Sequence, residues 1–256
     1  MHATIISVLK TFWNGLCDLV YPPLCILCKK YLFTADRTIV LCPGCEAQIK
    51  QNLPPFCPKC SRHSIEEYAS GRLCRQCRST QPHFDSAVGV CLYNPAMRKL
   101  IHLFKYGNKL ALRHPFSKII RSFTDSYTKD MRQYDVVTAV PLHPARLRER
   151  GYNQSDILAQ TIAETFQLPF CEGNLLRSKH TQFQARLTQK DRWTNIQGAF
   201  KIKNPERFHE KSVLVVDDLL TTGATLSEIA RVIKETGAHK VDVLTVAIAD
   251  SDNDVP

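Results

Sequence analysis

Apolar residues are unevenly placed along the chain, and their period changes twice. In the first twenty residues they recur at three- to four-residue steps (Ile5, Val8, Leu9, Phe12, Trp13, Leu16, Leu19, Val20), the spacing of one helix face. From residue 22 to 80 long periodic runs lapse, so this stretch has little with which to bury a core. From Phe84 the pattern returns as short apolar runs alternating with amphipathic ones. It predicts strands over residues 87–93, 135–140, 212–216 and 241–249. Helices are predicted over 97–104 (Leu100, Ile101 and Phe104 on one face), 156–166 and 224–235, the last ended by Gly237. Strands alternating with helices imply an α/β fold: a mostly parallel twisted sheet with flanking helices. The chain therefore divides into an N-terminal amphipathic helix (1–21), a core-poor module (22–80) and an α/β domain (81–256).

The N-terminal helix is expected to pack on the protein, with a membrane-surface position as the alternative. It lacks a basic leading region and a small-residue cleavage site, and Lys10, Asn14 and Asp18 interrupt it. No apolar run approaches ~20 residues, so no transmembrane span is expected. A cytoplasmic location follows as the expectation.

The core-poor module is rich in cysteine. Pairs at Cys25/Cys28, Cys42/Cys45, Cys57/Cys60 and Cys74/Cys77 form two C-x2-C-x13-C-x2-C units, and each cysteine of the first maps onto the second by adding 32. Two-residue spacing lets both sulfurs of one turn reach one metal, and two such turns complete a tetrahedron. Disulfides would need an oxidising compartment, to which nothing routes this chain. A redox pair would not recur four times in register. The reading is a duplicated four-cysteine zinc ribbon with two structural zincs. Serial pairing is favoured, and an interleaved arrangement stays open. Metal would supply the folding energy that a small core cannot. Cys17, Cys91 and Cys171 fall outside the pattern and read as small buried apolar residues.

The formal net charge is +10. Eight zinc-bound thiolates and two divalent zincs would lower it to +6, still a weak pointer to polyanions.

Chemistry concentrates at the predicted carboxyl ends of strands, where α/β folds bind ligands. In residues 213–225 an apolar run ends at Val216, so Asp217 and Asp218 are expected to emerge beyond the strand. Thr221, Thr222 and Thr225 surround Gly223 where the next helix begins, and a helix start is an anion site. Adjacent carboxylates beside a phosphate site make sense if they face hydroxyls or a divalent cation on the same ligand, as in a ribose phosphate. A plain helix cap at Thr221 or Thr222 would explain one threonine but not the whole pattern. After the strand ending at Val140, Arg146, Arg148 and Arg150 alternate in a basic loop before Gly151. A third segment, residues 176–200, is long, polar and basic.

Residues 213–225 resemble, position for position, the phosphoribosyl pyrophosphate (PRPP) motif of type I phosphoribosyltransferases. The resemblance implies that Asp217 and Asp218 take the ribose 2′- and 3′-hydroxyls. Residues Leu219, Leu220, Thr221, Thr222, Gly223, Ala224 and Thr225 complete the PRPP-binding segment, with Thr221 through Thr225 around the 5′-phosphate. The whole chain resembles the ComF/GntX family of competence-associated phosphoribosyltransferase-like proteins. The cysteine module, Phe104-Lys105-Tyr106-Gly107, the Arg-x-Arg-x-Arg-Gly-Tyr-Asn-Gln segment ending at Gln154, the loop from Thr181 to Phe200 and the PRPP motif come in that family's order. The resemblance implies a type I phosphoribosyltransferase-like fold preceded by a double zinc ribbon, Mg2+ bound with PRPP, and a part in bringing transforming DNA into the cytoplasm. Lys105, Arg146, Arg148 and Arg150 are candidate pyrophosphate or polyanion ligands, and Gln184, Arg186, Arg192 and Asn195 belong to the loop.

Three readings stay open. One is a PRPP-binding, zinc-containing protein that handles single-stranded DNA without sequence preference, with DNA-uptake machinery as a further partner. The second is a transferase passing ribose 5-phosphate to a nitrogen acceptor. The third is a PRPP-sensing regulatory or interaction protein. No catalytic residue can be named. For DNA, Lys179, Lys190 and Tyr152, Phe183 and Trp193 add charge and stacking candidates, with Tyr152 read as core. Seven residues follow Ala249, so no C-terminal hood is expected over the site. Residues 87–112 or the zinc module are the remaining candidates to cover it.

Overall fold

The computed structural model describes residues 22–34, 36, 38–63, 72–127, 130–179 and 189–249, with the backbone alone at 189–192. The expected helix over 1–21, together with Cys17, Phe183, Gln184 and Arg186, lies outside the described residues. The chain divides into two compact units, Met1–Gln48 and Ile49–Pro256. This division falls between the two cysteine sets, whereas the sequence pattern groups residues 22–80 as one module.

In the first unit the turn from Cys25 closes on itself: Lys29 N–H donates to the Cys25 carbonyl (2.8 Å) and Cys25 N–H to the Lys30 carbonyl (2.8 Å). Ile26 N–H bonds the Val40 carbonyl (2.9 Å), bringing the second pair alongside. That pair opens helix α1 (Pro43–Glu46).

In the second unit the other ribbon ends in helix α2 (Arg75–Thr80) and runs directly into a four-stranded parallel sheet. Its strands are β1 (Ser86–Leu92), β2 (Val136–Ala139), β5 (Ser212–Leu220) and β6 (Lys240–Ile248), ordered β1-β6-β5-β2. Strands β3 (Leu175–Arg177) and β4 (Phe200–Ile202) form a separate antiparallel pair. The central strands are apolar on both sides, as a parallel sheet covered on both faces requires. Val213 and Val215 of β5 join the cluster with Ile229 and Ile233, while Leu214 and Val216, on the opposite face, are equally buried.

The helices are α3 (Pro95–Tyr106), α4 (Arg113–Ser126), α5 (Pro144–Arg150), α6 (Gln154–Phe166), α7 (Gln189–Ile196) and α8 (Ala224–Lys234). Helix α6 packs on β2 and β5, α4 on α6, and α8 on β6. Helix α3 opens at Pro95 with Asn94 as its cap, whose side chain accepts from Met97 N–H at 2.9 Å. It buries Met97, Leu100, Ile101 and Phe104, the expected face.

Three local features depart from the sequence pattern, the first two of them at the site. First, β5 does not end at Val216. Its ladder with β6 continues through Asp217↔Thr245, Leu219↔Ala247 and Leu220↔Ile248. Backbone pairing is indifferent to side-chain polarity, and β6 is apolar and long enough to carry its neighbour on, so the two aspartates lie within the strand. Second, Arg146, Arg148 and Arg150 stand on helix α5, not in a loop. Pro144 occupies its first turn, the His143 ring accepts from Ala145 N–H (3.2 Å), and Gly151 ends it at φ 81°. Third, helix α4 was not anticipated, although Phe116, Ile120 and Phe123 line its buried face.

Candidate active site

At the carboxyl end of β5 lies a cavity of about 880 Å3. Its floor is Asp217, Asp218 and Leu219, and one end is Thr221, Gly223 and Thr225 at the start of α8. Gly223 is the N-cap of α8 at φ 79°, a left-handed conformation that glycine adopts without strain, and the Thr222 hydroxyl beside it accepts from Ala224 N–H (3.4 Å). The amides of an eleven-residue helix therefore begin at the cavity edge, an electrostatic setting for an anion.

The two aspartates are held differently. Asp217 accepts from Ser155 Oγ (2.7 Å), at the start of α6. Asp218 is 2% exposed; its Oδ1 lies 2.8 Å from Lys105 Nζ, and its Oδ2 has no hydrogen-bond partner among the described residues. Burial, with the Asp218 charge beside it, pushes the Asp217 carboxyl up to about 7. For Lys105, burial pulls the ammonium down, but the two aspartates more than offset this and hold it above its ordinary value. The result is a carboxylate pair, Asp218 buried and Asp217 half-buried, with one cation at Asp218 and one of its oxygens unanswered among the described residues.

Arg146 and Arg150 line the cavity, but Arg148 does not; it is exposed. On a helix, residues four apart share a face and residues two apart do not. Arg150 bonds Gln154 Oε1, and its guanidinium lies 4.7 Å over the ring of Tyr106 on α3. Arg177, on β3, also lines the cavity; burial and the neighbouring Arg146 lower it to about 10. Within the motif, Leu220 and Thr222 turn away from the cavity and are buried, while Leu219 and Ala224 line it.

The wall opposite the aspartates comes from helix α3, through Arg98, His102, Lys105 and Tyr106. Residues 87–112 thus supply one wall of the cavity. Ser155, Arg177, His102 and Arg98 were not among the sequence candidates. Ser155 follows directly on the Asn-Gln of the basic segment and Arg177 lies in the basic stretch 176–200, whereas Arg98 and His102 stand on a helix that the fold brings to the site. Tyr152 is part-buried, its hydroxyl donating to the Phe104 carbonyl (2.5 Å). Trp193 packs on the core cluster. Lys179 bonds the Gln197 carbonyl (3.1 Å), and Arg192 and Asn195 fall on α7. Cys91 and Cys171 are buried; burial pushes the Cys91 thiol up to about 12.

The cysteines assemble serially, Cys25, Cys28, Cys42 and Cys45 in one group and Cys57, Cys60, Cys74 and Cys77 in the other. Each group's sulfurs lie within 4.8 Å of one another. Tetrahedral zinc with bonds near 2.3 Å sets sulfurs about 3.8 Å apart, close to the 3.6 Å of Cys28–Cys42 and of Cys60–Cys74. Backbone N–H groups at Cys42 and Cys74 point at the Cys25 and Cys57 sulfurs (3.4 Å each), a donor set suited to thiolates. Both groups fit zinc, and four protein sulfurs leave no open coordination position.

Comparison with known proteins joins these sites. The double zinc ribbon domain family matches residues 16–79, and the phosphoribosyl transferase domain family matches residues 151–255. Competence protein F of Haemophilus influenzae is 31% identical over 228 residues, covering 88% of this chain and 96% of that protein. The chain belongs to the ComF/GntX family. Other relatives are the DNA utilization protein YhgH of Escherichia coli, 27% identical over 88% of this chain and 96% of that one, and competence protein ComFC of Streptococcus pneumoniae, 25% identical over 87% and 98%. The fold is type I phosphoribosyltransferase-like behind a ComF double ribbon with two four-cysteine zinc sites. The transferase match holds Asp217 and Thr225 but excludes β1 and α3, so the wall facing the aspartates lies outside it.

Proposed function

We propose that the cavity binds PRPP with magnesium. The 5′-phosphate meets the start of α8 at Thr221, Gly223 and Thr225. Asp217 and Asp218 accept the ribose hydroxyls, and Arg146 and Arg150 stand on the diphosphate side. Magnesium bound with the diphosphate supplies positive charge that offsets repulsion from the aspartates. The observation that carries this reading is the second oxygen of Asp218. A buried carboxylate oxygen with no donor is costly, and a ribose hydroxyl arriving in the cavity would answer it. Calorimetric titration with PRPP, with and without Mg2+, tests this; absence of binding to the zinc-loaded chain would refute it.

The names of the relatives speak of competence and DNA utilization. We extend this to single-stranded DNA handled in the cytoplasm without sequence preference. Supporting it, Arg98 and Arg150 share the cavity with Tyr106, which is 57% exposed, and single strands bind where cations flank stacking rings. The test is ssDNA titration at several salt concentrations with Arg146→Ala/Arg150→Ala. A salt slope unchanged from wild type would remove these arginines from the DNA surface.

A second reading, phosphoribosyl transfer, is favoured by the size of the cavity, about 880 Å3 with α3 as one wall, in which an acceptor would have room beside PRPP. A bond from an acceptor nitrogen to ribose C1 would form as the bond to pyrophosphate breaks. Pyrophosphate release dependent on an added acceptor distinguishes transfer from binding alone.

A further inference from the structure

We infer that the second zinc ribbon positions the phosphate-binding loop, so that zinc at Cys57, Cys60, Cys74 and Cys77 and ligand in the cavity stabilise one another. The inference rests on the PRPP reading of the cavity.

Gln76 sits between the ligands Cys74 and Cys77 on α2. Its Nε2 donates to the Thr222 carbonyl at 2.8 Å. In a trans peptide the carbonyl and the following N–H point opposite ways. Holding the Thr222 carbonyl against the ribbon therefore turns the Gly223 N–H away from it, and Gly223 lines the cavity. A peptide next to a glycine at positive φ is easily flipped, because no Cβ resists the alternative. Flipped, it would present a carbonyl oxygen where an anion is to bind.

The ribbon also reaches the loop's other end. Arg62, two residues after Cys60, donates to the Ala249 carbonyl (3.4 Å), and Ala249 N–H donates to the Leu220 carbonyl (2.9 Å). Beyond the last cysteine, the Phe84 ring lies against Gly223, and His83 N–H donates to Ser227 Oγ in the first turn of α8 (3.0 Å). Cys60, Cys77, Gln76, Thr222 and Gly223 border one narrow gap. None of these contacts involves a sulfur. They depend on zinc because zinc fixes the turn that carries Gln76. Gln76 is thus a positioning residue: it touches no ligand and acts through the Thr222–Gly223 peptide.

Thermodynamic linkage makes the coupling reciprocal. The full chain, loaded with zinc, is treated with a zinc-selective chelator that spares magnesium and with iodoacetamide, and alkylation of each cysteine is mapped by peptide mass. With PRPP and Mg2+ at about a hundred times Kd, alkylation of Cys57, Cys60, Cys74 and Cys77 should slow by roughly tenfold or more, and that of Cys25, Cys28, Cys42 and Cys45 should not. Gln76→Met, of similar length without the donor, should weaken PRPP binding roughly three- to tenfold, as loss of one hydrogen bond predicts, and reduce the protection. Equal slowing of both sets, or PRPP binding without slowing, would overturn the coupling while leaving the PRPP reading intact. Unchanged PRPP affinity in folded Gln76→Met would remove Gln76 from the role. Failure of PRPP to bind the wild-type chain would overturn the reading and the coupling with it.

Discussion

The two zinc ribbons share a sequence frame and a local geometry, yet they are embedded differently. Cys25 N–H reaches the Lys30 carbonyl and Cys57 N–H the Arg62 carbonyl; Lys29 and Ser61 both take positive φ, at 64° and 55°. Each feature repeats at an interval of 32. What differs is burial and the residues beside the cysteines. Cys28 is exposed and Cys42 half-buried in the first set, while all four cysteines of the second are buried. Ser61, 1% exposed, turns its hydroxyl to β1, where it accepts from Gly89 N–H (2.9 Å). Asn52, fully buried, donates to the carbonyls of both Ser61 and Gly89 (2.8 and 2.9 Å). Ala87 N–H bonds the Lys59 carbonyl (2.8 Å), so the ribbon takes up the free edge of the strand. The first set has Lys29 where the second has Ser61, and Gly44 where the second has Gln76. A metal turn fixes a backbone shape; the side chains beside its cysteines decide whether that shape becomes part of a larger domain.

The largest expected effect tests that embedding. Cys57→Ser with Cys60→Ser should lose one zinc and lower the melting temperature of the α/β domain by about 10 °C or more, since a few kcal/mol translate to about 2–4 °C each in a unit of this size. Cys25→Ser with Cys28→Ser should lose one zinc and leave that transition within a few degrees. Zinc analysis with calorimetry reads both, and equal losses would erase the distinction between the ribbons.

Next in size is the ligand. PRPP with Mg2+ should raise the melting transition of the α/β domain, and Asp217→Ala with Asp218→Ala should abolish this and weaken binding at least ~100-fold, each charged contact being worth about 1.5–3 kcal/mol. Circular dichroism should be retained, and an unchanged affinity in the folded variant would break the site assignment.

A smaller effect follows from Asp217, whose carboxyl is raised to about 7. The folded chain holds this proton more tightly than the unfolded one, so the stability it contributes is full below the ordinary carboxylate range and is lost as pH rises through about 7. Ribose hydroxyls need the carboxylate, so PRPP affinity should move the other way and increase from about pH 6 to about pH 8. Asp217→Asn should flatten both trends, leaving only the titration of PRPP itself, as melts and calorimetry at each pH will read.

The smallest effect compares equivalent positions. Lys29→Gly relieves a left-handed residue and should strengthen zinc retention by up to ~1 kcal/mol. Ser61→Gly gains the same relief but loses the bond to Gly89, so its stability should stay level or fall by about 1 kcal/mol. A chelator competition and a melt decide it; equal gains would show that Ser61 contributes nothing to the join.

The chain's local signals carried a good part of this protein. The Cys-x-x-Cys repeat specified two metal turns because ligand spacing is a local property. The switch from sparse to periodic apolar residues marked the α/β fold, and the Thr-Thr-Gly run after the Asp-Asp marked the helix start beside the cavity. Pro144 and Gly151 bounded helix α5 in plain sight, although three arginines at alternate positions resembled a basic loop. Tertiary structure alone decided the rest. The ladder with β6 carried β5 past its apolar run and buried Asp218; helix periodicity turned Arg148 away from Arg146 and Arg150. Lys105, more than a hundred residues from Asp218 in the chain, became its partner. The second ribbon joined the sheet through hydrogen bonds at Ser61, Asn52 and Gln76. Such choices depend on which distant backbone groups are left unpaired, and no local pattern in the chain carries that information.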